Sequence, residues 1–107
     1  MDAKDIISLI DCCNDETAFE LYQDLLKAAY KYTGFRFQWE LYTNAERAQN
    51  DSYRTSAHNA YMDSLNIFLR YMNRLSTSVP TIPADWTRKE LGDFACQLVC
   101  EVAIRNR

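Results

Sequence analysis

Glycine and proline are scarce in this chain, with two of each among 107 residues. Sheet-rich domains need many tight turns, which depend on these residues, so the scarcity argues against an all-β or hairpin-rich fold. Long apolar runs are missing as well, and nothing approaches the roughly 18 consecutive apolar residues of a membrane-spanning helix. The acidic N-terminus does not resemble a signal peptide. We therefore expect a cytoplasmic protein without membrane contact, whose four cysteines are reduced.

The overall composition is that of an ordinary globular protein. Hydrophobic residues make up 48% of the chain and charged residues 25%, which predicts one folded domain over residues 1–107. The net charge of −3 gives no general reason to expect nucleic-acid binding. The last helix could carry a basic patch, but four cations on an acidic chain are a weak signal: Arg88, Lys89, Arg105 and Arg107.

The charge is unevenly distributed along the chain. Residues 1–24 carry a net −6 and the remainder +3. One interpretation is that these acids complement helix N-termini or lie on a solvated face. The alternative is an acidic surface offered to a basic partner, or to a basic channel that normally holds nucleic acid. The seven acids are Asp2, Asp5, Asp11, Asp15, Glu16, Glu20 and Asp24.

Hydrophobic periodicity predicts helices throughout. A short helix capped by Asp2 is followed by an amphipathic helix over 15–33, which Asn14 could cap and Gly34 would end in the left-handed conformation. The segment 35–42 alternates like a strand, but no partner strand is available. We therefore predict a helix over about 36–49, ended by residues 50–52. Residues 76–85 form a proline-containing loop, and Thr87 and Glu90 match a capping box that opens the last helix.

Residues 53–75 are the most apolar helical segment. Their apolar side chains cover an arc of roughly 220° when plotted at 100° per residue. Such a helix needs neighbours on more than one side, so we expect it to occupy the centre of the fold. The predicted architecture is all-α: a helical bundle of four longer helices plus a short N-terminal one.

Two motifs carry a family resemblance. Arg54-Thr-Ser-Ala-His-Asn59, with its continuation to Arg70, and Arg88-Lys-Glu-Leu-Gly-Asp-Phe-Ala-Cys96 resemble motifs of small helical proteins from Gram-positive bacteria, their phages and mobile elements. The resemblance covers roughly a third of the chain directly. It implies an all-helical fold and a prokaryotic or phage origin, and it implies no particular reaction.

Arg54 and His58 lie one turn apart on the apolar side of the central segment. They could form a buried polar cluster that fixes helix docking, with Arg54 paired to an acid from the second or last helix. They could instead line a cleft that binds an anion or a polar group of a partner. In a third alternative His58 is a general base, although the sequence shows neither an oriented nucleophile nor an oxyanion site.

We predict that the cysteines are small buried residues that fill space in the core. Cys96 and Cys100, one turn apart, could supply two corners of a zinc site, and a redox pair is a further alternative. Neither pattern is specific, so we predict no metal and no cofactor. The sequence also lacks a glycine-rich phosphate loop and a nucleophile elbow.

The function that this pattern favours is non-catalytic binding or regulation through protein contact, with self-association as one form. A phage or mobile-element protein that inhibits a host complex is a specific version. The alternative is a small enzyme or metal-dependent site centred on Arg54 and His58. The candidate contact surface consists of aromatic residues in excess of what so small a core readily hides: Phe35, Phe37, Trp39, Tyr42 and Trp86.

Overall fold

The computed structural model describes residues 1–76 and 78–106, so Thr77 and Arg107 lie outside the described residues. Within these ranges all regular structure is α-helical, which confirms the predicted all-α class. There are three longer helices in place of the four predicted, because the helix predicted over about 36–49 is divided at residues 42–43, and its two halves continue the helices on either side. The helices are α1 (Ala3–Asp11), α2 (Glu16–Leu41), α3 (Asn44–Leu75) and α4 (Arg88–Arg105).

Helix α2 runs through Gly34 without interruption, so the predicted end at this residue is wrong. Neither glycine has a positive φ, and the left-handed cap is therefore absent. The inward-facing pattern that begins at Ala18 and Leu25 continues through Tyr32 to Trp39 at seven-residue intervals. The apparent alternation of residues 35–42 is thus compatible with a helix that turns some of its aromatics inward and others outward.

Helix α3 begins at residue 44, nine residues before the predicted start. Thr43 and Glu46 form a reciprocal capping box there. The predicted break at 50–52 does not occur. The Asn50 side chain donates to the Glu46 carbonyl oxygen at 2.8 Å, and Asp51 pairs with Arg54 at 3.3 Å. These polar groups therefore find partners within the helix instead of capping a new one.

The two-residue connection Tyr42–Thr43 makes α2 and α3 an antiparallel pair. The Tyr71 hydroxyl donates to Asp15 at 2.8 Å at one end of this pair. Near the middle, the rings of Tyr32 and Tyr61 stack with their centroids 5.7 Å apart. Helix α3 spans about 48 Å at 1.5 Å per residue, which accounts for the 46 Å longest dimension of the molecule.

Helix α2 occupies the centre, because it contacts each of the other three helices. The predicted central position of 53–75 is therefore wrong. Helix α3 buries a single stripe against its neighbours and leaves Ile67 48% exposed. The wide apolar arc of this segment is only partly covered. The buried stripe of α3 comprises Ala57, Tyr61, Leu65, Phe68, Leu69 and Met72.

Helix α4 packs on α2, and α1 packs mainly on α4. The predicted capping role of Asp2 is confirmed, and so is the capping box of Thr87 and Glu90. Asp15 caps α2 in place of the predicted Asn14. Arg105 near the end of α4 pairs with Asp11 of α1 at 2.8 Å.

The connection from α3 to α4 contains no helix in residues 76 and 78–87, as predicted. Val79 and Ile82 pack partly buried against the core, and the Trp86 ring lies 5.6 Å from that of Phe94. No described helix combines the length and the apolar character needed to cross a membrane.

The Tyr61 hydroxyl links α3 to α4. Tyr61 is 0% exposed, and its hydroxyl donates to the Leu91 carbonyl oxygen at 2.8 Å. Burial raises the pKa of Tyr61, so the phenol stays protonated and remains a donor. We predict that Tyr61→Phe, which keeps the stacked ring, lowers the free energy of unfolding by about 1 kcal/mol in urea titrations.

Tyr30→Phe is the matched control, because the Tyr30 side chain is 71% exposed. It should leave the free energy of unfolding within about 0.5 kcal/mol of the wild-type value. Equal stability of the two variants would contradict a stabilising role for the Tyr61 hydroxyl.

Candidate functional site

Trp39 and Arg54 meet at the end of the α2–α3 pair. The Arg54 guanidinium carbon lies 4.0 Å from the Trp39 ring centroid, and that of Arg47 lies 5.8 Å away. Arg47 Nε also donates to the Trp39 carbonyl oxygen at 3.0 Å, which satisfies an acceptor near the C-terminus of α2. Trp39 is thus engaged in cation–π contacts within the fold.

The charge partner of Arg54 differs from the prediction. Its guanidinium bonds to Asp51 on the same helix at 3.3 Å, not to an acid of α2 or α4. Since the Asp51 side chain is 62% exposed, this ion pair is weak. Arg54 Nε is buried and has no hydrogen-bond partner among the described residues. Contact with the Trp39 ring therefore replaces the predicted interhelical ion pair.

The His58 ring packs against the fold, and its nitrogens are not presented to solvent. Its ring meets that of Tyr32 edge-on, with centroids 5.1 Å apart and planes at 73°. Both ring nitrogens are buried and lack partners within the described part of the chain. Burial, and next the charge of Arg88, hold the pKa of His58 below its ordinary value. A general base needs a nitrogen within hydrogen-bond reach of a substrate, and neither His58 nitrogen is accessible in this arrangement.

The four cysteines are free thiols, and none is fully buried. Cys12 and Cys100 are exposed, while Cys13 and Cys96 are half-buried, so the prediction of buried filler positions is wrong. Across residues 1–76 and 78–106, no three His, Cys, Asp or Glu side chains converge to form a metal-binding group.

An interhelical ion pair between α2 and α4 was not predicted. Arg36 Nη2 donates to Asp93 Oδ1 at 2.9 Å, and Arg36 Nη1 lies 3.6 Å from the Cys96 sulfur. Gly92 makes room for this guanidinium, because a Cβ at that position would lie 2.8 Å from Arg36 Nη1. The ion pair was missed because the prediction ended the helix at Gly34. A helix predicted to continue past Gly34 would place Arg36 one turn after Tyr32, on the buried stripe.

The predicted aromatic surface is only partly exposed. Phe35 packs against the core, Trp39 is covered by two arginines, and Trp86 contacts Phe94. The Tyr42 hydroxyl donates to the Gln38 side chain at 3.3 Å. Of the five predicted contact residues, Phe37 is the one classed as exposed, at 67%.

Phe37 belongs instead to an apolar stripe on the outer side of α2. Tyr30 is 71% exposed and Leu41 is 84% exposed. Together with Gly34 they lie at positions i, i+4, i+7 and i+11, which fall on one face of a helix. Val99 and Cys100 of α4 border this stripe in a shallow groove of about 490 Å³. We call Tyr30, Gly34, Phe37 and Leu41 the α2 face. The prediction missed it because the helix was ended at Gly34.

A larger groove of about 910 Å³ lies at the opposite end of α2, beside the α1–α2 turn. Among residues 1–76 and 78–106, those that line this groove include the acids Asp5 and Asp15 and no Lys, Arg or His. The backbone N–H of Ala18, followed by the Tyr71 hydroxyl, lowers the pKa of Asp15, so that carboxylate is charged at neutral pH. The apolar part of the lining comes from Leu9, Met72, Leu75 and Val79.

Comparison with known proteins assigns no relative to this chain. No family model, no curated protein and no solved structure matches it. The functional argument therefore depends on the geometry of the chain itself.

We predict that His58 makes stability depend on pH below about 6.5. An unfolded histidine has a pKa of about 6.5, and the pKa of folded His58 lies lower. Between the two values the unfolded chain binds more protons, so the free energy of unfolding falls as the pH falls. Urea titrations from pH 7.5 to 5 should show this fall in the wild type and a smaller one in His58→Phe, which keeps a ring beside Tyr32.

Two carboxylates whose pKa values are lowered by hydrogen bonds at helix caps affect stability at lower pH than His58 does. Asp15 and Glu46 start from ordinary pKa values of 3.8 and 4.5, so most of their stabilising contribution is lost only as the pH falls below those values. An equal loss of stability in wild type and His58→Phe would show that His58 does not cause the pH dependence.

Proposed function

We propose that this chain is a non-catalytic intracellular protein that works by binding another protein through the α2 face. The observation that carries the proposal is the exposure of Tyr30, Phe37 and Leu41 in line along one helix, at 71%, 67% and 84%. Isolated exposed apolar residues are normal, but a contiguous row is typical of a contact surface.

The size of this surface suits a modest protein interface. An aromatic side chain covers roughly 150–250 Å², so the three side chains together expose on the order of 400 Å². The largest apolar patch on a typical monomer is about 300–600 Å² and often serves a function. Tyrosine and phenylalanine are also enriched at interface centres. Binding by helix-to-helix packing follows from the i, i+4, i+7, i+11 spacing.

The rival function, an enzyme or metal-dependent site centred on Arg54 and His58, has less support. Both ring nitrogens of His58 are buried against the fold, and Arg54 is held by Trp39 and Asp51. Metal analysis of the purified protein discriminates the two functions. Stoichiometric zinc or iron that survives dialysis would favour the rival.

The specific form of the proposal is a phage or mobile-element protein that blocks a host complex. Its support is the resemblance of the two sequence motifs together with the acidic N-terminal region. Six of the seven acids within residues 1–24 are exposed. The described lining of the groove beside the α1–α2 turn holds two carboxylates and no cationic side chain. A basic host partner would be attracted to this end of the molecule, and its capture should weaken as salt is raised.

We predict that Phe37→Asp combined with Leu41→Asp abolishes partner binding and leaves the fold intact. Both side chains point to solvent, so the change should not alter the helical circular dichroism spectrum, whereas two buried carboxylates would disrupt an apolar interface. In affinity capture from bacterial lysate with mass spectrometry, any protein bound by wild type should be depleted at least tenfold with this double variant.

Ile67→Asp is the matched control, because Ile67 is an exposed apolar residue of α3 outside the α2 face. It should retain the protein captured by wild type. If the double variant and the control capture the same proteins as wild type, the α2 face is not the contact surface.

A further inference from the structure

Gly34 lies in the interior of α2, where glycine is unfavourable. Glycine costs a helix interior about 1 kcal/mol relative to alanine. Its usual benefit is a positive φ, and Gly34 does not have one. A Cβ built on Gly34 would meet nothing within 4 Å. The monomer therefore gains nothing from the missing side chain at this position.

Gly92 shows what a structurally required glycine looks like in the same molecule. A Cβ there would lie 2.8 Å from Arg36 Nη1, so the absent side chain makes room for the ion pair with Asp93. At Gly34 the corresponding space is open to the outside, in the middle of the α2 face. Anything that needs this space must come from another molecule.

We propose that the α2 face binds a second copy of this chain, with two α2 helices packed antiparallel and crossing at Gly34. This inference rests on the proposed function and names the partner of the α2 face. Two helices approach to 8–10 Å depending on the side chains at the contact, and a glycine at the crossing point permits the closest approach. The same patch serves both copies, as a twofold interface requires.

Antiparallel packing makes the α2 face complementary to itself. Tyr30 lies four residues before Gly34 and Phe37 three residues after it. Across a twofold axis at Gly34, Tyr30 of each copy therefore meets Phe37 of the other copy. Two aromatic pairs then flank the glycine crossing, and edge-to-face or offset contact between the rings adds to the effect of burying apolar area.

Lys27 also fits the antiparallel packing. It lies seven residues before Gly34 and Leu41 lies seven residues after it, so the two are level across the proposed twofold axis. The aliphatic stem of Lys27 can then cover the Leu41 side chain of the other copy.

The available area indicates a weak dimer. A standard interface buries about 800 Å² per partner, roughly twice the apolar area that the α2 face exposes. We therefore expect dissociation constants in the range of about 10 µM to 1 mM, which correspond to −4 to −7 kcal/mol. Sedimentation equilibrium over that range should show a reversible monomer–dimer equilibrium.

The decisive variants are Gly34→Ala and Gly34→Gln. Both should raise the melting temperature of the dilute monomer by a few degrees, because the helix interior loses a glycine. Both should weaken dimerisation at least tenfold, because a side chain now fills the crossing point. Asp24→Ala is the control, since Asp24 is an exposed residue of α2 outside the α2 face. It should leave the dimer dissociation constant within twofold of wild type.

Isotope-filtered nuclear Overhauser spectroscopy on a mixture of labelled and unlabelled chains tests the orientation. We expect contacts between the Tyr30 ring of one copy and the Phe37 ring of the other. Within one chain these residues are about 10 Å apart along the helix, so intramolecular contacts do not interfere. Contacts of Tyr30 with Tyr30 would instead indicate a parallel dimer and overturn the proposed packing.

Two further results would overturn the inference. One is a protein that stays monomeric up to millimolar concentration, and the other is a dimer whose affinity is unchanged in Gly34→Ala and Gly34→Gln. In either case the proposed function survives if Phe37→Asp with Leu41→Asp still loses a captured partner. It fails separately if capture is unaffected.

Discussion

The continuity of α2 from Glu16 to Leu41 is the constraint on which the rest of the structure depends. A single straight element presents a fixed set of faces along its whole length. Its inner stripe reaches from Ala18 to Trp39 and binds both α3 and α4. Its outer side carries Tyr30, Phe37 and Leu41 into solvent. If the helix ended at Gly34, these residues would not share a face and the Trp39 ring would not lie under Arg54.

The α2–α3 pair is held by different interactions at its two ends. At the connection, Arg47 bonds to the Trp39 carbonyl group, and Arg54 covers the indole ring. At the far end, the Tyr71 hydroxyl donates to Asp15, which also caps α2. Between these contacts the pairing is apolar, with Tyr32 and Tyr61 stacked. The polar side chains thus set the register of the two helices, while burial of the apolar stripe supplies most of the stabilising free energy.

The polar residues Arg54 and His58 and the apolar α2 face differ in how much of each is already in contact with the rest of the fold. Arg54 and His58 have the residue types of a reactive site, but in this fold both pack against aromatic rings. Arg54 lies on an indole ring, and His58 meets a phenol edge with its nitrogens buried. The α2 face has no polar group of its own apart from the Tyr30 hydroxyl, and it contains a glycine for which the monomer has no use. An unexplained cost in the isolated chain is a physical reason to look for a second molecule at that place.

Local sequence determined the helical class, the caps at Asp2 and Thr87, and the loop before α4, because these depend on interactions within a few residues. The capping box of Thr43 and Glu46 was not predicted, although it also depends on two residues only three positions apart. Tertiary structure decided whether Gly34 and Asn50 would end helices. Both are compatible with a break and with continuity. The contacts of Arg36 with Asp93 and of Trp39 with Arg54, which require residues on neighbouring helices, favour continuity. Tertiary contacts likewise decided which apolar residues stay exposed. An amphipathic pattern identifies the apolar face of a helix, but it does not show which other helix, if any, covers that face.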